Sequence, residues 1–313
     1  MAHLDDCKFV VTGATGWLGR ACLGVLEARL GERFSARVFA YASKDGETGL
    51  RPGRTVRYRA LDQISELPAG RHVFLHCAFL GKERVAGLAL ADYVALNEEI
   101  SEKVCDAARG VGVAGFFVPS SGAVYGKDQI LETDIEKNSY GVMKRKDEER
   151  FTRLAADLNC PAVVARVFNV AGPYINKIQS YALGSILEDI LLRRPVRIRA
   201  NQRIIRSYVH VSDLIALVLA ALDEGAAAPV CFDTAGEREV EVGELARLAM
   251  AVLGAAEGVI ERPPLDPSLP DNRYVGDGAV MMALAQRYNI ALRPLPVQIA
   301  DTAYYLSAMQ GRG

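Results

Sequence analysis

No Cys-x-x-Cys pair, no basic excess and no long apolar run mark this sequence, and each absence removes a class of function. Its 37 Lys and Arg balance 38 Asp and Glu, a formal net charge of -1. A chain so balanced lacks the electrostatic footprint for nucleic acid or an anionic membrane surface. The longest apolar run, LIALVLAAL, falls far short of the ~20 residues that span a bilayer. The opening MAHLDDCKFVV carries acids and no apolar core of a secretory signal. Six single cysteines (Cys7, Cys22, Cys77, Cys105, Cys160, Cys231) sit mostly in apolar runs and read as reduced core thiols. His76 and His210 stand alone and make no metal site. These features point to a cytoplasmic enzyme or binding protein, with no nucleic-acid or membrane partner and no metal.

What is present is alternation. Short β-branched or aromatic runs (KFVVTG, ARVFAYA, TVRYRAL, HVFLHCA, GFFVPSS, AVVARVFN) alternate with helical patterns such as WLGRACLGVLEARLG, a stretch across roughly Tyr93 to Arg109 and another from about Tyr140. That rhythm predicts βαβ units, an α/β fold with a doubly wound parallel sheet of Rossmann type. After about Gly172 the rhythm breaks into helical segments, a strand near VCFDTA and the Pro-rich ERPPLDPSLPDNR. The expected organisation is a dinucleotide-binding domain over 1–171, with the chain crossing back around 203–234, and a smaller C-terminal α/β lobe over 172–313.

The first strand ends in TGATGWLGR, with Gly13, Gly16 and Gly19 directly before a helical pattern. Glycines at this spacing permit the tight turn, the approach of backbone to a pyrophosphate and close packing of helix on strand. At the end of the second strand, where an acid usually takes the adenosine ribose, the sequence runs Ala40, Tyr41, Ala42, Ser43, Lys44. The missing acid leans toward NADP over NAD, although Asp45 lies one residue on. Asp62, after the third strand, is either an acceptor for the adenine amino group or a helix cap.

Tyr140 and Lys144, at i and i+4, share one helix face. A cation beside a phenol lowers its pKa from about 10 toward working pH, where it can exchange a proton with a substrate hydroxyl. Ser121, ending the strand before, is placed to hydrogen-bond the same oxygen. Serine, tyrosine and lysine together suit alcohol and ketone redox chemistry on a nicotinamide cofactor.

TGATGWLG, HCAF, Asn97, SSGAVYG, YGVMK, RVFNVAGP and RSYVHVSDL together resemble the extended short-chain dehydrogenase/reductase family, the nucleotide-sugar epimerase/dehydratase group. The resemblance implies an NAD(P)-binding first lobe and a second lobe for a nucleoside-diphosphate sugar. It assigns Tyr140 as acid/base, Lys144 to the nicotinamide ribose and Ser121 as the catalytic serine. It lines the cofactor with Gly13, Thr15, Gly16, Trp17, Leu18, Gly19, Ser43, Lys44, Asp62, Ala78, Phe79, Asn97 and Phe168. Asn169, Arg206 and Arg273 fall to the sugar-diphosphate, an arginine fork suiting its phosphates. Homodimers are typical, with the helices near Tyr93–Arg109 and Tyr140–Leu158 as candidate contacts.

One departure narrows the reaction. Where 4,6-dehydratases carry an Asp-Glu pair after the catalytic residue, this chain has Gly122 and Ala123, which move no proton. Epimerisation of a hexose ring carbon, C4 first among them, and reduction of a keto-sugar by NADPH remain. Family frequency places the epimerase ahead, the missing strand-end acid favours the reductase, and a non-catalytic dinucleotide sensor stands as a distant third.

Overall fold

The computed structural model describes residues 4–51, 53–126, 129–225, 228–255 and 257–310. It divides into two compact units, Met1–Val167 with Ile215–Phe232, and Phe168–Leu214 with Asp233–Gly313.

The first unit is built on strands β1 (Lys8–Thr12), β2 (Val38–Ala42), β3 (Gly46–Arg51), β4 (Arg54–Ala60), β5 (Arg71–His76), β6 (Gly112–Ser121), β7 (Ala162–Val167) and, much later in the chain, β12 (Val230–Asp233). They form one sheet in the order β12-β7-β6-β5-β1-β2-β4-β3. Phe9 of β1 lies level with Val38 on one side and Val73 on the other, both pairings parallel. The chain builds outward from β1 through β2 and β4, then returns to β5 and builds the other way through β6 and β7. The reversal between β1 and β5 is the switch point beyond whose strand ends ligands bind in open α/β sheets. Val10, Phe74, Phe116, Val118, Phe151 and Val164 belong to one core cluster, which is why these strands read as unbroken apolar runs.

The connecting helices include α1 (Trp17–Leu30), the short α2 (Phe34–Arg37), α3 (Leu90–Arg109) and α4 (Ser139–Asp157). Ser121 therefore ends the sixth strand in chain order, one later than the sequence rhythm suggests. The extra strand is β3, antiparallel to β4 at the sheet edge. Its sequence, GETGLR, has two glycines and two charges and shows no strand pattern. The outer surface of α3 and α4 is charged, with ion pairs Lys146–Glu98 and Arg150–Glu102 linking the helices.

The second unit holds short strands. β8 (Val170–Ala171) pairs with β11 (Val209–His210), and β9 (Val196–Arg197) with β14 (Ile260–Glu261). β10 (Ile204–Arg206) is central to a three-stranded sheet, between β13 (Val240–Glu241) and β15 (Asn272–Tyr274). Its helices are α5 (Ala182–Leu191), α7 (Val242–Val252), α8 (Ala279–Arg287) and α9 (Leu295–Gln310), while α6 (Val211–Glu224) holds the boundary between units. Among the described residues no helix is long and apolar enough to cross a membrane.

Candidate active site

The glycine turn follows β1. Gly13 has φ +65, and a Cβ there would sit 2.5 Å from the Cys77 carbonyl carbon; a Cβ on Gly19 would sit 2.1 Å from Gly13 O. Backbone packing alone forbids a side chain at both positions. Gly16 differs, since a Cβ there would be only mildly crowded, 3.3 Å from Gly13 O. Packing makes a weak demand for glycine at Gly16, whereas a pyrophosphate drawn against the backbone makes a strong one. Gly16 also caps α1 with no side-chain hydrogen bond, and the first turn of α1 carries no acid. The turn thus offers backbone N–H groups and positive dipole to an anion, and it fits a dinucleotide. Around it Thr15 is exposed, Leu18 half-buried and Trp17 buried.

β2 itself ends without an acid. Asp45, between β2 and β3, accepts on Oδ1 from the Ala60 backbone N–H (2.6 Å) and from Gln63 Nε2 (3.0 Å), which ties the turn after β2 to the end of β4. Ser43 and Lys44 are exposed. Asp62 forms an ion pair with Lys103 at 2.5 Å, and the cap of its own short 3-10 segment is Ala60.

The β5 end is braced from two sides. Thr12 Oγ1 accepts from the Ala78 N–H at 3.1 Å and lies 2.9 Å from His76 Nδ1. Asn97 Oδ1 accepts from Leu80 N–H (2.8 Å) while its amide donates to Tyr93 O (3.1 Å), and the Tyr93 hydroxyl donates to Leu80 O (2.9 Å). Asn97 and Tyr93 thereby hold the loop that carries Ala78 and Phe79. Burial pushes His76 down to about 3, with the Lys144 charge adding to the effect, so this histidine is neutral.

Ser121 and Tyr140 are tied through the backbone that follows one and precedes the other. Ser121 Oγ accepts from the Ala123 N–H at 3.2 Å. Asn138 caps α4 by accepting from Gly141 N–H (2.9 Å), and its own amide donates to Ala123 O (2.6 Å). A Cβ on Gly141 would lie 2.0 Å from that same carbonyl oxygen. Only glycine lets the helix start approach the turn after Ser121 so closely. Sequence reasoning passed over both Asn138 and Gly141, though a capping asparagine two residues ahead of the tyrosine was the available signal.

Lys144, only 6% exposed, donates to Pro119 O at 3.0 Å. Its Nζ lies 3.8 Å from the centre of the Phe79 ring, and the same ring meets Tyr140 edge-on at 5.8 Å. Phe79 is thus the surface on which the phenol and ammonium meet. Beside them Arg166 grips Glu148 with two hydrogen bonds (2.9 and 2.7 Å) and donates to the Tyr125 hydroxyl (2.7 Å).

In the second unit, Asn169 donates to Ser207 O (3.2 Å) and Tyr274 O (3.0 Å), and Phe168 stacks at a tilt on Tyr274 with its N–H donated to Thr234 Oγ1. Arg206 is half-buried. It donates to Ile205 O and Asn272 O, both at 2.8 Å, and faces the Tyr274 ring. Arg273, on the neighbouring strand, is held by both oxygens of Glu239. His210 is buried, with Nδ1 accepting from the Ser212 N–H. Among the described residues no group of three or more His, Cys, Asp or Glu could hold a metal ion.

The UDP-2-acetamido-2,6-beta-L-arabino-hexul-4-ose reductase of Pseudomonas aeruginosa is 25% identical over 239 residues, 76% of this chain and 56% of that protein. The match thus spans little more than half of that relative's length. A dTDP-4-dehydro-6-deoxy-D-allose reductase from a Streptomyces species is 26% identical over 286 residues, 83% of this chain and 84% of that one. Among solved structures, the UDP-N-acetylglucosamine 4-epimerase from Methanobrevibacter ruminantium in complex with UDP-N-acetylmuramic acid matches with a TM-score of 0.73 at 16% identity, over 97% of this chain and 99% of that chain. That likeness is one of fold. The family described as "NAD dependent epimerase/dehydratase family" matches residues 9–232. Those residues are well over half of the chain, and the chain belongs to that family.

Proposed function

We propose that the protein is an NADPH-dependent reductase of a 4-keto sugar carried on a nucleoside diphosphate. The observation that carries this reading is the end of β2, where no acid ends the strand and Asp45, beyond it, is tied through Oδ1 to Ala60 and Gln63. A ribose hydroxyl pair finds no acid at the strand end itself, whereas the exposed Ser43 and Lys44 suit a 2'-phosphate. The two curated relatives named above are both reductases of 4-keto sugar nucleotides, which supports the same choice over the epimerase.

The turn from Gly13 to Gly19 would hold the pyrophosphate, and Lys144 with Tyr140 the nicotinamide ribose. A dihydronicotinamide held by these residues would supply the hydride that reduces the carbonyl carbon. Ser121 hydrogen-bonds the carbonyl oxygen, and Tyr140 gives that oxygen its proton as C=O becomes CH–OH. The Lys144 ammonium favours the phenolate that remains. A positioned acid of this kind contributes on the order of a hundred- to ten-thousandfold. Gly122 and Ala123 follow Ser121, so these two positions offer no acid or base for eliminating water. Arg206 and Asn169 take the diphosphate. Arg273, already neutralised by Glu239, contributes less.

The test is to strip the purified protein of nucleotide and titrate it with NADPH and NADH by fluorescence, then to offer 4-keto-6-deoxy sugar nucleotides with NADPH. Preference for NADPH and its substrate-dependent oxidation support the reductase. Tightly retained NAD and interconversion of UDP-hexoses without net redox change would replace it with the 4-epimerase on the same three residues.

A further inference from the structure

Lys144 is a poorly compensated buried cation. An ammonium has three donors, yet the hydrogen bond it makes here goes to one backbone carbonyl, Pro119 O, with the Phe79 ring against it. Burying a charge without a counter-charge carries a cost comparable to a whole domain's stability margin. Something must oppose that cost if the lysine is to stay charged. Two carboxylates follow it on α4, and they differ. Glu148 has both oxygens on Arg166, so its charge is spent. Asp147 is 3% exposed; Oδ1 accepts from Ser101 of α3 at 2.7 Å, and Oδ2 is buried without a hydrogen-bond partner.

We propose that Asp147 is the positioning residue of the Tyr140 and Lys144 pair: its carboxylate, held from α3 by Ser101, supplies the counter-charge that keeps the Lys144 ammonium charged inside the protein. The two residues stand at i and i+3 on the buried side of α4, beyond direct ion-pair contact, and act on each other through a medium of low dielectric where a unit charge carries far. Burial pushes Lys144 down, and Asp147 leads the charges that push it back, ahead of Cys77 and Glu148. Burial pushes Asp147 up, and Lys144 leads the opposing groups, ahead of Ser101 and Arg150. The remaining neighbours leave the pairing intact. From β5 and the loop after it, Lys144 meets neutral His76 and the Cys77 thiol. From α3, Asp147 meets Tyr93 and Cys105, both held protonated chiefly by burial. Arg150 shares its charge with Glu102.

The proposal rests on Lys144 being the partner of Tyr140, but its test does not need turnover. Lysines labelled with 13C at Cε are titrated by NMR in the protein without added ligand, and the Lys144 signal is assigned with K144R. Asp147→Asn keeps the shape and removes the charge, so the charged lysine loses support and its midpoint falls, by roughly one unit or more. Asp147→Glu restores part of that fall. Ser101→Ala removes a hydrogen bond that favours the carboxylate, and moves the midpoint the same way by less. A purely structural Asp147 would lower thermal stability and leave the Lys144 midpoint where it was. An unmoved midpoint in D147N, or in S101A should D147N not fold, overturns the proposal. Loss of the catalytic assignment would show separately, as a Tyr140→Phe variant with undiminished turnover.

Discussion

Each of the two units sets a cation closed off by a carboxylate near one that makes no carboxylate ion pair, and the two pairs are built alike. In the first unit Arg166 is locked to Glu148, and this pairing raises its pKa. Lys144, on the helix that carries Glu148, has a backbone carbonyl and an aromatic face instead, and burial lowers its pKa. In the second unit Arg273 is locked to Glu239, which raises its pKa. Arg206, one strand away, has backbone carbonyls and the Tyr274 face, and burial lowers its pKa. The locked cations are neutralised within the chain. On the function proposed above, the open ones keep their field for a phenolate or a diphosphate.

The comparison breaks most visibly if the two cations of the first unit are exchanged in role. Lys144→Met should lower turnover on the order of a thousandfold, because Tyr140 loses the charge that stabilises its phenolate, while urea unfolding shows a smaller loss of stability than in Arg166→Met, since removing the lysine strands Asp147 but also removes the burial cost of its own charge. Arg166→Met should do the reverse. It strands Glu148 in a half-closed site and costs about 3–5 kcal/mol of stability, with turnover per folded molecule largely kept. If both variants lose activity and stability together, the division into locked and open cations is wrong for this unit.

Much of this arrangement was legible in the sequence, and the part that was not has a common cause. The glycine turn, Ser121, Tyr140 and Lys144 could be read because each is specified by local backbone: a strand end, a tight turn, one helical turn of spacing. Phe79 could be placed near the cofactor by resemblance, though not between Tyr140 and Lys144. Asn138 and Gly141 act through a carbonyl fifteen or more residues back, and Asp45 through a backbone N–H on the next strand. Arg206 and Arg273 look equivalent as letters, and the distinction between them is made by Glu239, across the sheet. The edge strand β3 was missed because GETGLR has a turn's composition, and its pairing with β4 comes from tertiary context.

A smaller effect tests the environment of the open lysine through its neighbour. His76 is buried beside Lys144 and held neutral, its pKa pushed from the ordinary 6.5 down to about 3. The unfolded chain therefore takes up a proton first as pH falls, and stability is lost between pH 6.5 and about 3 at roughly 1.4 kcal/mol per unit. Between pH 7.5 and 5.0, urea unfolding of the unaltered protein should lose about 2 kcal/mol more than that of His76→Gln. Equal losses in the two proteins would mean that the histidine is not shielded and that the pocket around Lys144 is wetter than its burial suggests.

The smallest expected effects lie in the second unit, where the contrast between open and locked is sharpest in sequence terms because both residues are arginines on adjacent strands. Arg206→Leu removes a guanidinium with no carboxylate to neutralise it, and should raise KM for a sugar nucleotide about tenfold with kcat little changed, the mark of binding lost equally from ground and transition states. Arg273→Leu breaks an exposed ion pair whose worth to stability is about 0–1 kcal/mol, and should leave KM nearly unchanged. A second change separates the two explanations for that indifference. Glu239→Gln frees Arg273 from its partner without removing it, so if neutralisation by Glu239 is what keeps Arg273 out of the binding site, KM should fall modestly in this variant and the Arg273→Leu change should then begin to matter. If KM is unmoved by either substitution, alone or together, Arg273 is excluded by position rather than by charge, and Arg206 is the arginine of the β10–β15 sheet that engages the diphosphate.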